Sequence, residues 1–235
     1  MDTQLAIPTA VRPPLEFDLI ADFACPWSYL GKRKLERALD SLYAKSVPAL
    51  RWHGFRAKGE VLPASTAWRD HLATRLPPGV SVDLAQENLA TAGRELGIRF
   101  DFEQLRTVPD TREAHRLVKL AEAEGRQGEL VDALFSAFFE RGQDIGDHQV
   151  LEQLGRERGL TAATLAAFND SVRGGEQVDA EEKRLQSLGV TATPNLLING
   201  RILVPGPVDV STYVQALDQA LFPGLTAPED KRALH

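Results

Sequence analysis

From residue 15 the chain reads Leu-Glu-Phe-Asp-Leu-Ile-Ala, alternating apolar and polar before turning continuously apolar, as a strand does on entering a sheet interior. The pattern then changes period. Tyr29, Leu30, Leu35, Ala38, Leu39 and Leu42 recur at helical spacing, and Lys32, Arg33, Lys34, Glu36 and Arg37 fill most of the other faces. Pro26 suits the first helical turn, where its missing N–H is no loss. Residues 47–55 read as a second strand, with Pro48 at its start. From about 62 to 188 the signal is helical almost without interruption. Ala114, Leu117, Val118 and Ala121 form one apolar stripe, and Leu130, Val131, Leu134, Phe135, Phe138 and Phe139 form a wider one that requires burial. Asp147 and Thr161 are placed to cap helices running through Leu151 and Leu165. Two short apolar runs, 196–198 and 201–204, flank Asn199-Gly200, a pair that tolerates positive φ and predicts a hairpin. A last helix is expected over 209–221.

The predicted order is strand, helix, strand, helical block, hairpin, helix. This gives an α/β domain made of residues 15–61 and 189–222, interrupted by an all-helical insert over 62–188. Pro-bearing segments 1–14 and 223–235 read as flexible tails. With 235 residues and 43% hydrophobic content, the chain is long enough for a full core. A net charge of -6 argues against a phosphate-backbone binder, so nucleic acid is not expected as a partner. No apolar run approaches the roughly 20 residues needed to span a bilayer, and the first residues lack the pattern of a secretion signal. A soluble, cytoplasmic protein is the expectation.

The chemistry concentrates on one residue. Cys25 is the single cysteine, set in Asp22-Phe23-Ala24-Cys25-Pro26-Trp27-Ser28 where the first strand meets the first helix. A sulfur at a helix start faces unpaired N–H groups and the positive end of the dipole, which predicts an acidic thiol. The alternative is a small buried apolar residue. Ser28 occupies the position of a resolving thiol in a Cys-x-x-Cys motif, so no intramolecular disulfide can form. The five histidines are too scattered for metal-ligand spacing, Gly174-Gly175 lacks the lysine and preceding strand of a phosphate loop, and Gly-x-Ser-x-Gly is absent.

Three stretches together resemble the thioredoxin fold as elaborated by the DsbA-like family. They are Asp22–Arg33, Asp110–Leu117 with the later Ala133–Phe139, and Gly189–Ile198 containing Thr193-Pro194. The likeness is closer to the FrnE branch, which is similar in turn to 2-hydroxychromene-2-carboxylate isomerases and kappa-class glutathione transferases. The FrnE branch usually carries Cys-Pro-Trp-Cys, and the other two usually carry serine at both ends. Cys25-Pro26-Trp27-Ser28 keeps the nucleophile of one group and the second position of the other.

The resemblance implies a thioredoxin-like fold and a thiol–disulfide oxidoreductase acting by a monothiol route, with Cys25 and Ser28 as catalytic residues and an external thiol such as glutathione resolving mixed disulfides. Glutathione is thus a candidate cosubstrate, and no tightly bound cofactor or metal is expected. It further implies a cis Thr193-Pro194 bond whose Thr193 backbone pairs with an extended substrate, and a pocket walled by Pro26 and Trp27. His115 either lines the substrate cleft or is a hydrogen-bonded histidine on a packing face. Asp209 either contacts glutathione or simply caps the last helix. Partners are protein or small-molecule thiols and disulfides, and a homodimer is open. A glutathione-dependent isomerase or transferase, and a non-enzymatic binding module, are the rival readings.

Overall fold

The computed structural model describes residues 15–43, 50–56, 63, 66–170 and 173–221. Both expected tails and the start of the second strand at Pro48 lie outside the described residues.

Among the described residues four strands, β1 (Phe17–Ala21), β2 (Leu50–Gly54), β3 (Asn195–Ile198) and β4 (Ile202–Pro205), form one sheet in the order β2-β1-β3-β4. β1 pairs parallel with β2 and antiparallel with β3, which pairs antiparallel with β4. Parallel neighbours need a crossover, and α1 (Pro26–Leu42) supplies it. Centrality explains the continuous apolar run of β1, all five of whose residues are buried. Pro205 is tolerated because β4 is an edge.

The hairpin differs by one residue from its expected register. Asn199 and Gly200 both adopt positive φ (53° and 64°), and Arg201 N–H closes the turn on Ile198 at 3.0 Å. Ile198 then pairs with Ile202, leaving Arg201 as the extra residue of a bulge.

The helical block comprises α2 (Trp68–Thr74), α3 (Val82–Glu95), α4 (Arg112–Ala121), α5 (Gln127–Arg141), α6 (His148–Glu157), α7 (Ala162–Asn169) and α8 (Gly175–Ser187). Asp147 caps α6 by accepting from Gln149 N–H at 2.7 Å, and Thr161 caps α7 by accepting from Thr164 N–H at 3.2 Å. α9 (Val210–Leu221) ends the described fold, and Asp209 stands just before it, its carbonyl taking Tyr213 N–H at 3.1 Å.

Residues two apart in β1 share a face. Leu19 and Ala21 join a large core that continues through Trp52 into the insert, reaching Leu117, Phe135 and Phe168. Phe17 joins a second cluster with Leu35, Leu39, Leu196, Tyr213 and Leu217. On the opposite face Ile20 meets Phe55, Leu185 and Val190, where α8 covers the sheet. The insert therefore shares its core with the sheet.

Candidate active site

β1 ends at Ala21, and four residues later Cys25 stands as N-cap of α1 in extended geometry (φ −97°, ψ 111°). The turn between them is closed by Cys25 N–H on the Asp22 carbonyl at 3.2 Å. Opposite, the Thr193–Pro194 bond is cis, and the Thr193 carbonyl accepts from Cys25 Sγ–H at 3.6 Å. This approach depends on Gly31. A Cβ there would meet Pro194 Cγ at 3.0 Å, so a side chain on this face of α1 would push the proline segment away.

The sulfur lies neither in a sealed interior nor in open solvent. Cys25 is partly exposed and lines an open cleft of about 380 Å³. Asp22, Ala24, Pro26 and Trp27 form one side of it, Ala192, Thr193 and Pro207 another, and Trp68, His71, Leu72, Arg75 and Pro77 a third. The volume suits a small ligand or an extended peptide end rather than a folded surface.

The expected acidic thiol is not what this arrangement produces. Burial pushes the Cys25 thiol up from its ordinary value, and the nearby Asp22 carboxylate adds to that rise. The Ser28 hydroxyl and N–H and the Thr193 side chain pull the other way by hydrogen-bonding the sulfur, and burial outweighs them. A helix start lowers a thiol pKa only as far as the site leaves the thiolate solvated, and burial of this sulfur outweighs it.

Ser28 is fully buried. Its Oγ accepts Asp22 N–H at 3.3 Å, tying the end of β1 to the first turn of α1. Trp27 is half-buried on the cleft wall. Tyr29 belongs to the core, stacked on Phe135 at 4.8 Å between ring centroids, with its hydroxyl donating to Glu140 at 2.7 Å. Arg33 and Lys34 form surface ion pairs, with Glu36 at 3.1 Å and Asp209 at 3.0 Å respectively.

The structure does not bring His115 or Asp209 to the cleft lining. His115 is buried one layer behind, its Nε2 3.1 Å from Asp22 Oδ1 and its Nδ1 accepting the Trp52 indole N–H at 3.2 Å. Room for the ring comes from Gly54, where a Cβ would fall 2.5 Å from His115 Nδ1. Asp209 points to solvent and accepts from Lys34. Of the predicted residues, Cys25, Pro26, Trp27 and Thr193 line the cleft, while Ser28, which hydrogen-bonds the sulfur, and Pro194, next to Thr193, are buried beside it.

Sequence reasoning missed four contributors. Asp22 gains a bond from Thr111 Oγ1–H at 2.7 Å, and Thr111 lies four residues before His115, a spacing that puts both on one side of α4's start. Gly54 and the α2 wall gave no local signal, because helical periodicity marks a buried face without telling a core from a cleft. Among the described residues no group of three or more His, Cys, Asp or Glu is placed to hold a metal ion, and no helix is long and apolar enough to cross a membrane.

The family model of the DSBA-like thioredoxin domain matches residues 17–218. Among solved structures the chain is similar to the probable DsbA oxidoreductase SCO1869 from Streptomyces coelicolor, at 26% identity and a TM-score of 0.73 over 91% of this chain and 92% of that one. It shares its fold with a 2-hydroxychromene-2-carboxylate isomerase, at 16% identity and a TM-score of 0.66 over 90% of this chain and 99% of that one. It likewise shares its fold with the cytosolic disulfide reductase DsbM from Pseudomonas aeruginosa, solved with GSH, at 20% identity and a TM-score of 0.58 over 88% and 96% of the two chains.

Proposed function

The chain belongs to the DSBA-like thioredoxin domain family, and from that premise we propose that it is a thiol–disulfide oxidoreductase working through one sulfur, Cys25, with glutathione as the outside thiol. The observation that carries this reading is the position of Cys25, at the start of α1, facing the Thr193 carbonyl and lining an open cleft. In the first half-reaction Cys25 gives up its proton and its sulfur attacks a glutathionyl mixed disulfide. Cys25 and glutathione become joined, and the partner leaves as a thiol. In the second, reduced glutathione attacks that adduct, Cys25 is released as a thiol, and oxidised glutathione departs. Ser28 hydrogen-bonds the sulfur but has no thiol with which to displace the adduct.

The raised thiol sets the pace of this cycle. It leaves less thiolate for the first attack and makes Cys25 a slower leaving group when glutathione attacks the adduct, while the thiolate that does form is more nucleophilic. The exposed backbone of Thr193 beside Pro194 would pair with the glutathionyl backbone, and Trp27 and Pro26 would wall the sulfur. This chemistry requires a compartment that holds reduced glutathione, which favours the cytoplasm. The likeness in fold to DsbM, solved with GSH, supports glutathione as the cosubstrate.

One observation favours a second reading, a glutathione-dependent isomerase or transferase. A Cys25 held as thiol can donate a hydrogen bond to a glutathione thiolate in place of reacting with it. Turnover of a small glutathionyl mixed disulfide by the protein and by Cys25→Ser separates the two. Complete loss in the variant supports the oxidoreductase, and retained activity supports the isomerase or transferase.

A further inference from the structure

Beside the sulfur stands a carboxylate that the two half-reactions leave unused. Asp22 lines the cleft next to Ala24 and Cys25. Its Oδ1 receives Thr111 Oγ1–H at 2.7 Å and lies 3.1 Å from His115 Nε2. The other ring nitrogen of His115 faces the Trp52 indole N–H at 3.2 Å. An indole only donates, so Nδ1 carries no proton and Nε2–H is the donor to Asp22. Two donors on Oδ1 favour the ionised form. Burial pushes Asp22 up, and the bonds from His115 and Thr111 outweigh it and hold the carboxyl below its ordinary range.

The ionisable side chains lining the cleft, among the described residues, are those of Asp22 after β1, Cys25 at the start of α1, His71 on α2 and Arg75 at the C-cap of α2. The start of α1 contributes Cys25, Pro26 and Trp27, and the segment before β3 contributes Ala192 and Thr193, all uncharged side chains apart from the sulfur itself. Asp22 is the carboxylate of this set, three residues before Cys25 and lining the same cleft, with its backbone carbonyl taking Cys25 N–H at 3.2 Å.

We propose that Asp22, positioned by His115 and Thr111, selects the disulfides that Cys25 accepts by their charge, favouring those that bring a positive charge or none beside the attacked sulfur over those that bring a negative one. The proposal rests on Cys25 being the reacting group.

Two methanethiosulfonates of similar shape, one ending in an ammonium and one in a sulfonate, provide the probe. Each converts Cys25–SH to a disulfide with release of methanesulfinate and a proton, so intact mass follows both rates. In the unmodified protein the ammonium-to-sulfonate rate ratio is expected to exceed that of a small free thiol by about tenfold, the size of a nearby unit charge acting through a partly wet site. Asp22→Asn is expected to bring the ratio to within about threefold of the free thiol and to lower the midpoint of the pH profile for alkylation by iodoacetamide. A ratio in the unmodified protein at or below the free-thiol value overturns the proposal, and this arm stands even where the variant does not fold. An Asp22→Asn protein with an intact melt and an unchanged ratio and midpoint overturns it too, while leaving Cys25 as the nucleophile. Failure of Cys25 to react with either reagent at any pH overturns the proposal and the parent reading together.

Discussion

At position 28 the difference between one sulfur and two is a single atom. The Ser28 side chain is buried and already hydrogen-bonds the Cys25 sulfur, so a thiol placed there has its partner within reach. Ser28→Cys is expected to oxidise to an intramolecular disulfide and, after treatment with oxidised glutathione, to carry no glutathionyl group. Intact mass with a thiol count checks this, and a stable adduct beside a second free thiol would contradict it. Cys25, Pro26, Trp27, Thr193 and Pro194 were legible in the sequence because a strand end, a helix-starting proline and an X-Pro bend leave local marks. The acidity of Cys25 was not. A sequence shows that a sulfur begins a helix, but its burial and its neighbours are set by the fold, which brings the Thr193 carbonyl to Cys25 from 168 residues away and Thr111 and His115 to Asp22 from 89 and 93 away.

Among the elements, α8 is tied to the sheet by a half-buried histidine. His53 of β2 bridges Asp18 of β1 at 2.8 Å and Glu181 of α8 at 2.6 Å. Burial pushes His53 down, and its bonds to Asp18 and Glu181 outweigh this and carry it up to about 9 from an ordinary 6.5. Both carboxyls are held below their ordinary values, each pushed up by burial and pulled further down by His53. A group raised on folding stabilises fully below its unfolded pKa and loses that contribution as pH climbs through its folded pKa. The His53 clamp is therefore intact near pH 6 and weakens on the way to pH 9, by on the order of 3 kcal/mol. The carboxylates act in the opposite sense, losing their contribution as acid protonates them. Chemical denaturation at pH 6 and 9 is expected to show this loss in the wild type and not in His53→Gln; parallel curves for the two proteins would contradict the clamp. The strand-and-helix order and the caps at Asp147 and Thr161 could be read directly from period and capping chemistry. The clamp could not, since Asp18, His53 and Glu181 are brought together only by strand pairing and the docking of α8.

Across the whole molecule, the insert and the sheet share apolar contacts. Leu19, Ala21 and Trp52 belong to the same cluster as Leu117, Phe135 and Phe168, so neither part can open without exposing the other. Unfolding followed by tryptophan fluorescence, from Trp27, Trp52 and Trp68, is expected to coincide with loss of helical circular dichroism. Two separated transitions would show an insert that melts by itself. The sequence pattern predicts the insert's limits but not this continuity, because an apolar stripe does not name the surface it meets. The same packing places α2 across from Cys25 and completes a cleft around one sulfur that has no second thiol in its chain. That central claim is tested most directly by the intact mass of the protein after oxidised glutathione and again after reduced glutathione. The account predicts one glutathionyl group on the wild type, none on Cys25→Ser, and full removal by reduced glutathione. A wild-type protein that emerges from oxidised glutathione unmodified, while its Cys25 still alkylates, would contradict it.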